Sequence, residues 1–258
     1  MSFARILALP ALALLVSGAV ADPAETWPGL ARDLFGGRAI GSSQNVTLEA
    51  PVRAEDAAIV PMTLRFAEPD KVVKASLVID ENPMPLAASF VIGEGAGIGF
   101  LSTRVRVNSY SNVHAVVETR SGALETAVKF VKASGGCSAP AVKDQDEANA
   151  NMGKMKYREF RSADPARREA QIMIRHPNHT GMQMDQLTRA YTPAHYIDRV
   201  TVKQGDALLF AMEGGISISE DPNFRFSYVA NGARTISVEA RDTQGMTYRA
   251  EWAISEGT

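Results

Sequence analysis

The 258-residue chain is poorest in cysteine, with Cys137 alone. One thiol excludes any internal disulfide, and it excludes zinc sites and redox motifs built on paired cysteines. A basic excess is also missing: 27 Lys and Arg stand against 29 Asp and Glu. Nucleic-acid binders draw their affinity from clustered Lys and Arg, so that class is set aside. No apolar run approaches the ~18 residues of a membrane span, and there is no Gly-x-Ser-x-Gly, His-Glu-x-x-His or Cys-x-x-Cys signature. The apolar share of 45% and charged share of 22% are those of an ordinary globular protein.

The N-terminus carries Arg5, a short apolar run over residues 6–16, and the small residues Ala19 and Ala21 at −3 and −1 of a cleavage point. This predicts a signal peptide over 1–21, cleavage after Ala21 and a periplasmic mature protein. Export makes a lone cysteine unusual, since exported proteins ordinarily pair their thiols.

A short helix is expected from Trp27 to Phe35, ended by Gly36 and Gly37. Alternating apolar and polar runs then recur at 45–50, 59–66, 72–79, 87–92, 101–107, 113–119 and 124–131, with Gly, Pro and Asn turns between them. Such short period-2 strands indicate an antiparallel sandwich over 22–132. From 133 to 166 the periodicity stops, which predicts a flexible arm and linker carrying Cys137, with some helix possible in 144–160. Strand-like runs resume at 170–175, 196–202, 207–212, 224–229, 234–240 and 248–254, a second sandwich over 167–258. The fold class is therefore all-β, two immunoglobulin-like sandwiches joined by an arm.

Three features compete for function. The glycine-rich stretch Gly93-Glu-Gly95-Ala-Gly97-Ile-Gly99 lies between strands with no following helix, so it reads as a loop and not as a phosphate cradle. His176, His179, Met182 and Met184 fall within nine residues and offer soft donors to copper; this is the alternative metal reading, since no resident cofactor is otherwise expected. Cys137 follows Gly135 and Gly136 and is surrounded by small residues, which predicts an exposed thiol on a glycine hinge. A tethered thiol suits a covalent carrier, whereas a catalytic cysteine needs a fixed base or cation.

The motifs resemble a family. Pro51-Val-Arg-Ala-Glu-Asp56, Ile79-Asp-Glu-Asn-Pro-Met-Pro85, Thr103-Arg-Val-Arg106 and Gly135-Gly-Cys137 are similar to the sulfur-oxidation carrier SoxY. Ile174-Arg-His-Pro-Asn-His-Thr-Gly181, Pro193-Ala-His-Tyr-Ile197, Ser219-Glu-Asp-Pro222 and Asp242-Thr-Gln-Gly245 are similar to its partner SoxZ. The chain thus resembles a fused SoxYZ, of the type associated with quinoprotein dehydrogenases. The resemblance implies that Cys137 holds sulfur intermediates of thiosulfate oxidation, that Gly135 and Gly136 are the arm hinge, and that the protein has no catalytic site of its own. It implies periplasmic sulfur-oxidation enzymes, or a quinoprotein dehydrogenase system, as partners. No nucleic acid or membrane is expected, and the protein should be a monomer or a Cys137-linked dimer. One departure is plain: SoxY ends a few residues beyond its cysteine, whereas here the chain continues through Ser138-Ala-Pro140. An idle thiol in a non-covalent accessory module for the dehydrogenase is the other reading.

Overall fold

The structure is a computed structural model and describes residues 23–140, 148, 150–185 and 188–255, with backbone alone for 23–25. The expected signal peptide and part of the expected 144–160 helix lie outside these residues, although 148, 150 and 151 are helical.

Helix α1, Pro23–Phe35, is followed by Gly36 and Gly37 at φ +64° and +70°, a left-handed exit that glycine adopts without Cβ strain. The helix begins before Trp27, and Pro28 sits inside it. Trp27 stacks on the His114 ring with centroids 3.5 Å apart, and His114 Nε2 is 3.1 Å from Asp80 Oδ2, which anchors the helix to the sheet behind it.

The expected strands are present as β2 (Val46–Glu49), β3 (Val60–Phe66), β4 (Val72–Ile79), β5 (Leu86–Ile92), β6 (Phe100–Val105), β7 (Ser111–Thr119) and β8 (Leu124–Val131). In the second half they are β10 (Arg168–Ile174), β11 (Ile197–Gln204), β12 (Ala207–Gly214), β13 (Asn223–Tyr228), β14 (Thr235–Asp242) and β15 (Thr247–Ala253). Alternation translates directly into burial: Val60, Met62, Leu64 and Phe66 of β3 point inward while Pro61 and Arg65 face solvent. Two strands were not foreseen. They are β1 (Ile40–Ser42), which pairs in parallel with β8, and β9 (Met155–Phe160), which pairs antiparallel with β10.

Two corrections concern how the halves join. The strands form a nine-stranded sheet, β1-β8-β7-β4-β5-β12-β11-β14-β15, and a six-stranded sheet, β2-β3-β6-β13-β10-β9. Both sheets run through both halves: β5 hydrogen-bonds to β12 from Ile92↔Phe210 to Ala88↔Gly214, and β6 to β13 from Ser102↔Arg225 to Phe100↔Ser227. The two immunoglobulin-like halves therefore share one buried core, in which Phe210 lies against Phe90, Phe224 and Phe226 at centroid distances of 6.1, 6.3 and 5.1 Å. Each half would otherwise leave an open strand edge, and joining the edges satisfies their N–H and C=O groups.

The second correction concerns the expected flexible segment over 133–166, of which 141–147 and 149 lie outside the described residues. Its later part contains β9, whose Tyr157 stacks on Trp252 at 5.5 Å. Its first part, residues 133–140, lies docked on the junction. The glycine-rich stretch also has a packing reason: a Cβ on Gly93 would lie 1.8 Å from the Leu208 carbonyl oxygen, so only glycine lets β5 meet β12 this closely.

Candidate functional site

After β8 the chain turns back across the junction. Gly135 N–H donates to the Asn108 carbonyl at 2.8 Å, Gly136 N–H to that of Val107 at 3.1 Å, and Ser138 N–H closes a turn on the Gly135 carbonyl at 3.2 Å. Gly135 has φ +77°, and a Cβ on Gly136 would stand 2.1 Å from the Ala57 carbonyl oxygen and 2.7 Å from that of Val107. In this state the two glycines permit close docking of the turn.

The docking has a direct consequence for Cys137, whose exposure is 0%. The expected exposed thiol is not what the structure shows. The correction has a clear source: small residues raise no barrier to packing, and the turn's backbone groups find partners from both halves. From the second half, Thr180 Oγ1 donates to the Cys137 carbonyl at 2.6 Å. From the first, Arg106 Nη1 donates to the Gly136 carbonyl at 3.2 Å. A thiol held in this way cannot meet that of a second copy, so the expected Cys137-linked dimer requires the turn to leave its seat.

Arg106 is the group that sequence reasoning passed over. Its alternation with Val105 and Val107 reads as outward-facing, yet it is 1% exposed because the turn lies over it. Its Nε and Nη2 have no hydrogen-bond partner among the described residues. Burial lowers its pKa, against the attraction of Glu220, Cys137 and Asp56. Burial likewise pushes the Cys137 thiol up to about 11, and the Arg106 charge opposes that rise. The resting thiol is therefore neutral, with a guanidinium close enough to favour its thiolate.

Asn82, within the Ile79 to Pro85 motif, holds this arrangement together. Its Nδ2 donates to the Arg106 carbonyl at 2.7 Å and to Ser217 Oγ at 2.9 Å, and its Oδ1 accepts from Asn108 N–H at 2.8 Å. Ser219 Oγ, from the second half, donates to the Ala58 carbonyl at 2.7 Å. The motifs quoted from the two halves thus meet at one junction, on which the Cys137 turn sits.

Of the residues of the copper reading, His176 and His179 are buried. His179 Nδ1 lies 3.3 Å from Gln183 Oε1, and Met184 forms an isolated bridge with Tyr191 and is 40% exposed. His176 instead gathers with His195 and Asp242, their donor atoms all within 4.8 Å of one another. His195 and Asp242 stand in the 193–197 and 242–245 motifs, more than a dozen residues from His176, so no local spacing could have revealed the grouping. Away from both clusters, a cavity of about 250 Å³ opens between Phe35 of α1 and the nine-stranded sheet at Ser76, Ser89 and Val116.

Comparison with known proteins agrees with this geometry. Residues 31–137 match the family of sulfur oxidation protein SoxY, and residues 158–253 match that of sulphur oxidation protein SoxZ. The SoxY match ends on Cys137 itself. Among solved structures, the sulfur carrier protein SoxY from Chlorobium limicola f thiosulfatophilum is 29% identical over 43% of this chain and 94% of its own, with a TM-score of 0.38. A superoxide reductase (neelaredoxin) from Ignicoccus hospitalis is 12% identical over 34% of this chain and 78% of its own, with a TM-score of 0.31. No curated protein matches the chain. The two matches together span most of the chain: a SoxY domain and a SoxZ domain of sulfur oxidation lie fused in one polypeptide, a SoxYZ-like chain.

Proposed function

We propose that this protein carries sulfur intermediates covalently on Cys137 and that it does so in the periplasm, serving sulfur-oxidation enzymes. The observation that supports the reading most is the position of the thiol: the SoxY match ends at Cys137, and that residue lies on a turn outside every strand, seated beside the unpaired Arg106 guanidinium. Because the docked thiol is buried and neutral, loading begins with release of the 133–140 turn. The polar contacts that must break are few: the bonds from Arg106 and Thr180 to the turn's carbonyls and those from Gly135 and Gly136 to Asn108 and Val107. Each such bond contributes about 1 kcal/mol net, so a partner protein can supply the cost from its own contacts.

In the thiosulfate case the conjugation balances as follows. The Cys137 S–H bond breaks and releases its proton, an Sγ–S bond forms to the sulfane sulfur of thiosulfate, and two electrons leave to the partner enzyme's oxidant. The product is a cysteine S-thiosulfonate bearing one negative charge. Ser138, Ala139 and Pro140 continue the chain beyond the thiol, so a partner receives a loop where SoxY presents a tail near its end.

Mass spectrometry of the Cys137 peptide, from protein isolated in its own periplasm, tests the reading. Adducts corresponding to added sulfur, sulfite or thiosulfate are expected. A uniformly unmodified thiol, together with full pathway activity in Cys137→Ser, would reject it.

The complete burial of Cys137 favours a second reading, in which the chain is a non-covalent accessory module of a quinoprotein dehydrogenase system and the thiol is idle. In that case Cys137→Ser leaves the dehydrogenase activity unchanged, while substitutions that break the junction abolish it.

A further inference from the structure

His176 follows β10, His195 precedes β11 and Asp242 ends β14, so three separate segments of the SoxZ half deliver their side chains to one point. They are 1%, 9% and 0% exposed. Asp242 Oδ2 lies 2.9 Å from His195 Nε2 and 3.7 Å from His176 Nε2. Metal-to-donor bonds of about 2.0–2.2 Å at tetrahedral angles place donor atoms about 3.3–3.6 Å apart. The two separations from Asp242 Oδ2 fall on either side of that range, and the three donor atoms all lie within 4.8 Å of one another, so a modest contraction brings them to ligand distance.

A second observation points to a ligand. The His176 side chain is fully buried, yet its Nε2 has no hydrogen-bond partner among the described residues. Its Nδ1 is 2.8 Å from Asn178 Oδ1. The identity of that oxygen is set by its neighbours, since Asn178 Nδ2 donates to the carbonyls of Ile218 and Ser219 and Oδ1 accepts from Ile197 N–H. Nδ1 is thus engaged by Asn178 twice, by the side-chain oxygen and by the backbone N–H 3.1 Å away, which leaves Nε2 as the ring nitrogen without such a partner. In the tautomer with the proton on Nδ1, Nε2 turns a lone pair toward a carboxylate oxygen in a buried site. A cation between them removes that repulsion, and an imidazole that gives its other N–H to a carbonyl is the arrangement metal ligands adopt.

The carboxylate is equally prepared. Asp242 Oδ2 accepts from Tyr248 OH at 2.9 Å, and Oδ1 accepts from the backbone N–H groups of Gln244 and Met246, each at 2.9 Å. Two imidazoles and one carboxylate suit zinc and its neighbours in the first transition row, and not the calcium or magnesium that all-oxygen sites take.

We propose that His176, His195 and Asp242 bind one divalent transition-metal ion, Zn²⁺ or a close relative, through the two Nε2 atoms and Oδ2. Binding through His195 Nε2 requires any proton which that nitrogen shares with Asp242 to leave it. The fourth position is left to water or a further donor. The site does not depend on Cys137 or on the carrier function.

The test uses the purified full-length chain, stripped with a chelator and then titrated with ZnCl2. One equivalent of zinc should be retained after gel filtration, and the thermal midpoint should rise, returning on chelation. Co²⁺ in place of zinc should give the visible absorption of a tetrahedral nitrogen and oxygen site. His176→Gln and His195→Gln should each weaken zinc binding on the order of 100-fold or more, while His179→Gln should leave it unchanged. Wild-type protein that retains no stoichiometric zinc and gives no cobalt bands would overturn the proposal, whether or not the variants fold. Equal retention by folded His176→Gln would do the same.

Discussion

Arg106 donates from Nη1 to the carbonyl of Gly136, 3.2 Å away, the peptide group directly before the chain's one thiol. This bond links a buried charge to the seat of Cys137. It makes the docked turn a state with a defined cost of opening.

The first prediction concerns that opening. Gly136→Ala places a methyl group against the Ala57 and Val107 carbonyl oxygens, which are backbone atoms that cannot yield. Overpacking of this kind costs about 1–3 kcal/mol, and each 1.4 kcal/mol is tenfold. Maleimide labelling of Cys137 should be slow in the native wild type and roughly 5- to 150-fold faster in Gly136→Ala, with far-UV circular dichroism unchanged. Equal labelling rates would show that the turn is not held by this close approach.

Charge supplies the second. Arg106 favours the Cys137 thiolate against burial. Arg106→Met should therefore raise the thiol pKa further, seen as a shift of the alkylation-rate profile to higher pH. The substitution removes an unpaired buried charge, so stability should change little or rise. A pH profile that does not move would remove Arg106 from the thiol's surroundings.

Stability at high pH gives the third. The folded thiol titrates near 11, against 9.0 for the unperturbed group. Below pH 9 both states hold the proton, and between 9 and 11 the unfolded chain alone releases it, so folding stability is full below 9 and falls as pH rises toward 11. The loss amounts to roughly 2–3 kcal/mol at 1.36 kcal/mol per pK unit. The half-buried Tyr157 and the buried Tyr228 shift in the same direction, so the expected signal is the difference between wild type and Cys137→Ala in urea melts from pH 8 to 11.

Cooperativity gives the fourth. Trp27 lies in the first half and Trp252 in the second, and they are the two tryptophans of the chain. Because both sheets and the core run through the junction, Trp27→Phe and Trp252→Phe should show coincident fluorescence transitions in denaturant, one probe per half. Phe210→Ala, which empties the centre of the junction cluster, should destabilise both by about 3–5 kcal/mol. Separate transitions would mean that the halves fold independently.

Most strands were legible because the inward and outward phases of β2, β3 or β14 are written as alternation, and their turns as Gly, Pro and Asn. The misses have physical causes. β1 has three residues, too few to show a period, and the three-residue alternation at the start of β9 lies beside Gly153 in a polar stretch. Edge-to-edge pairing of β5 with β12 was invisible because a strand's own pattern says which face is buried and nothing about which neighbour satisfies its backbone.

The sequence by itself determined that this chain is mainly strand-built after a short N-terminal helix, that it has two halves, and that Cys137 lies where the periodic pattern ends. Tertiary structure alone decided what that position means in the resting molecule. The small residues that read as freedom are also the residues that pack most closely, and which outcome prevails depends on partners far away in the chain. Asn108 and Val107 receive the turn's N–H groups, and Arg106 and Thr180 donate to its carbonyls. Hydrogen bonds from both halves convert an uncluttered tether into a seated turn, and the thiol is buried as a result.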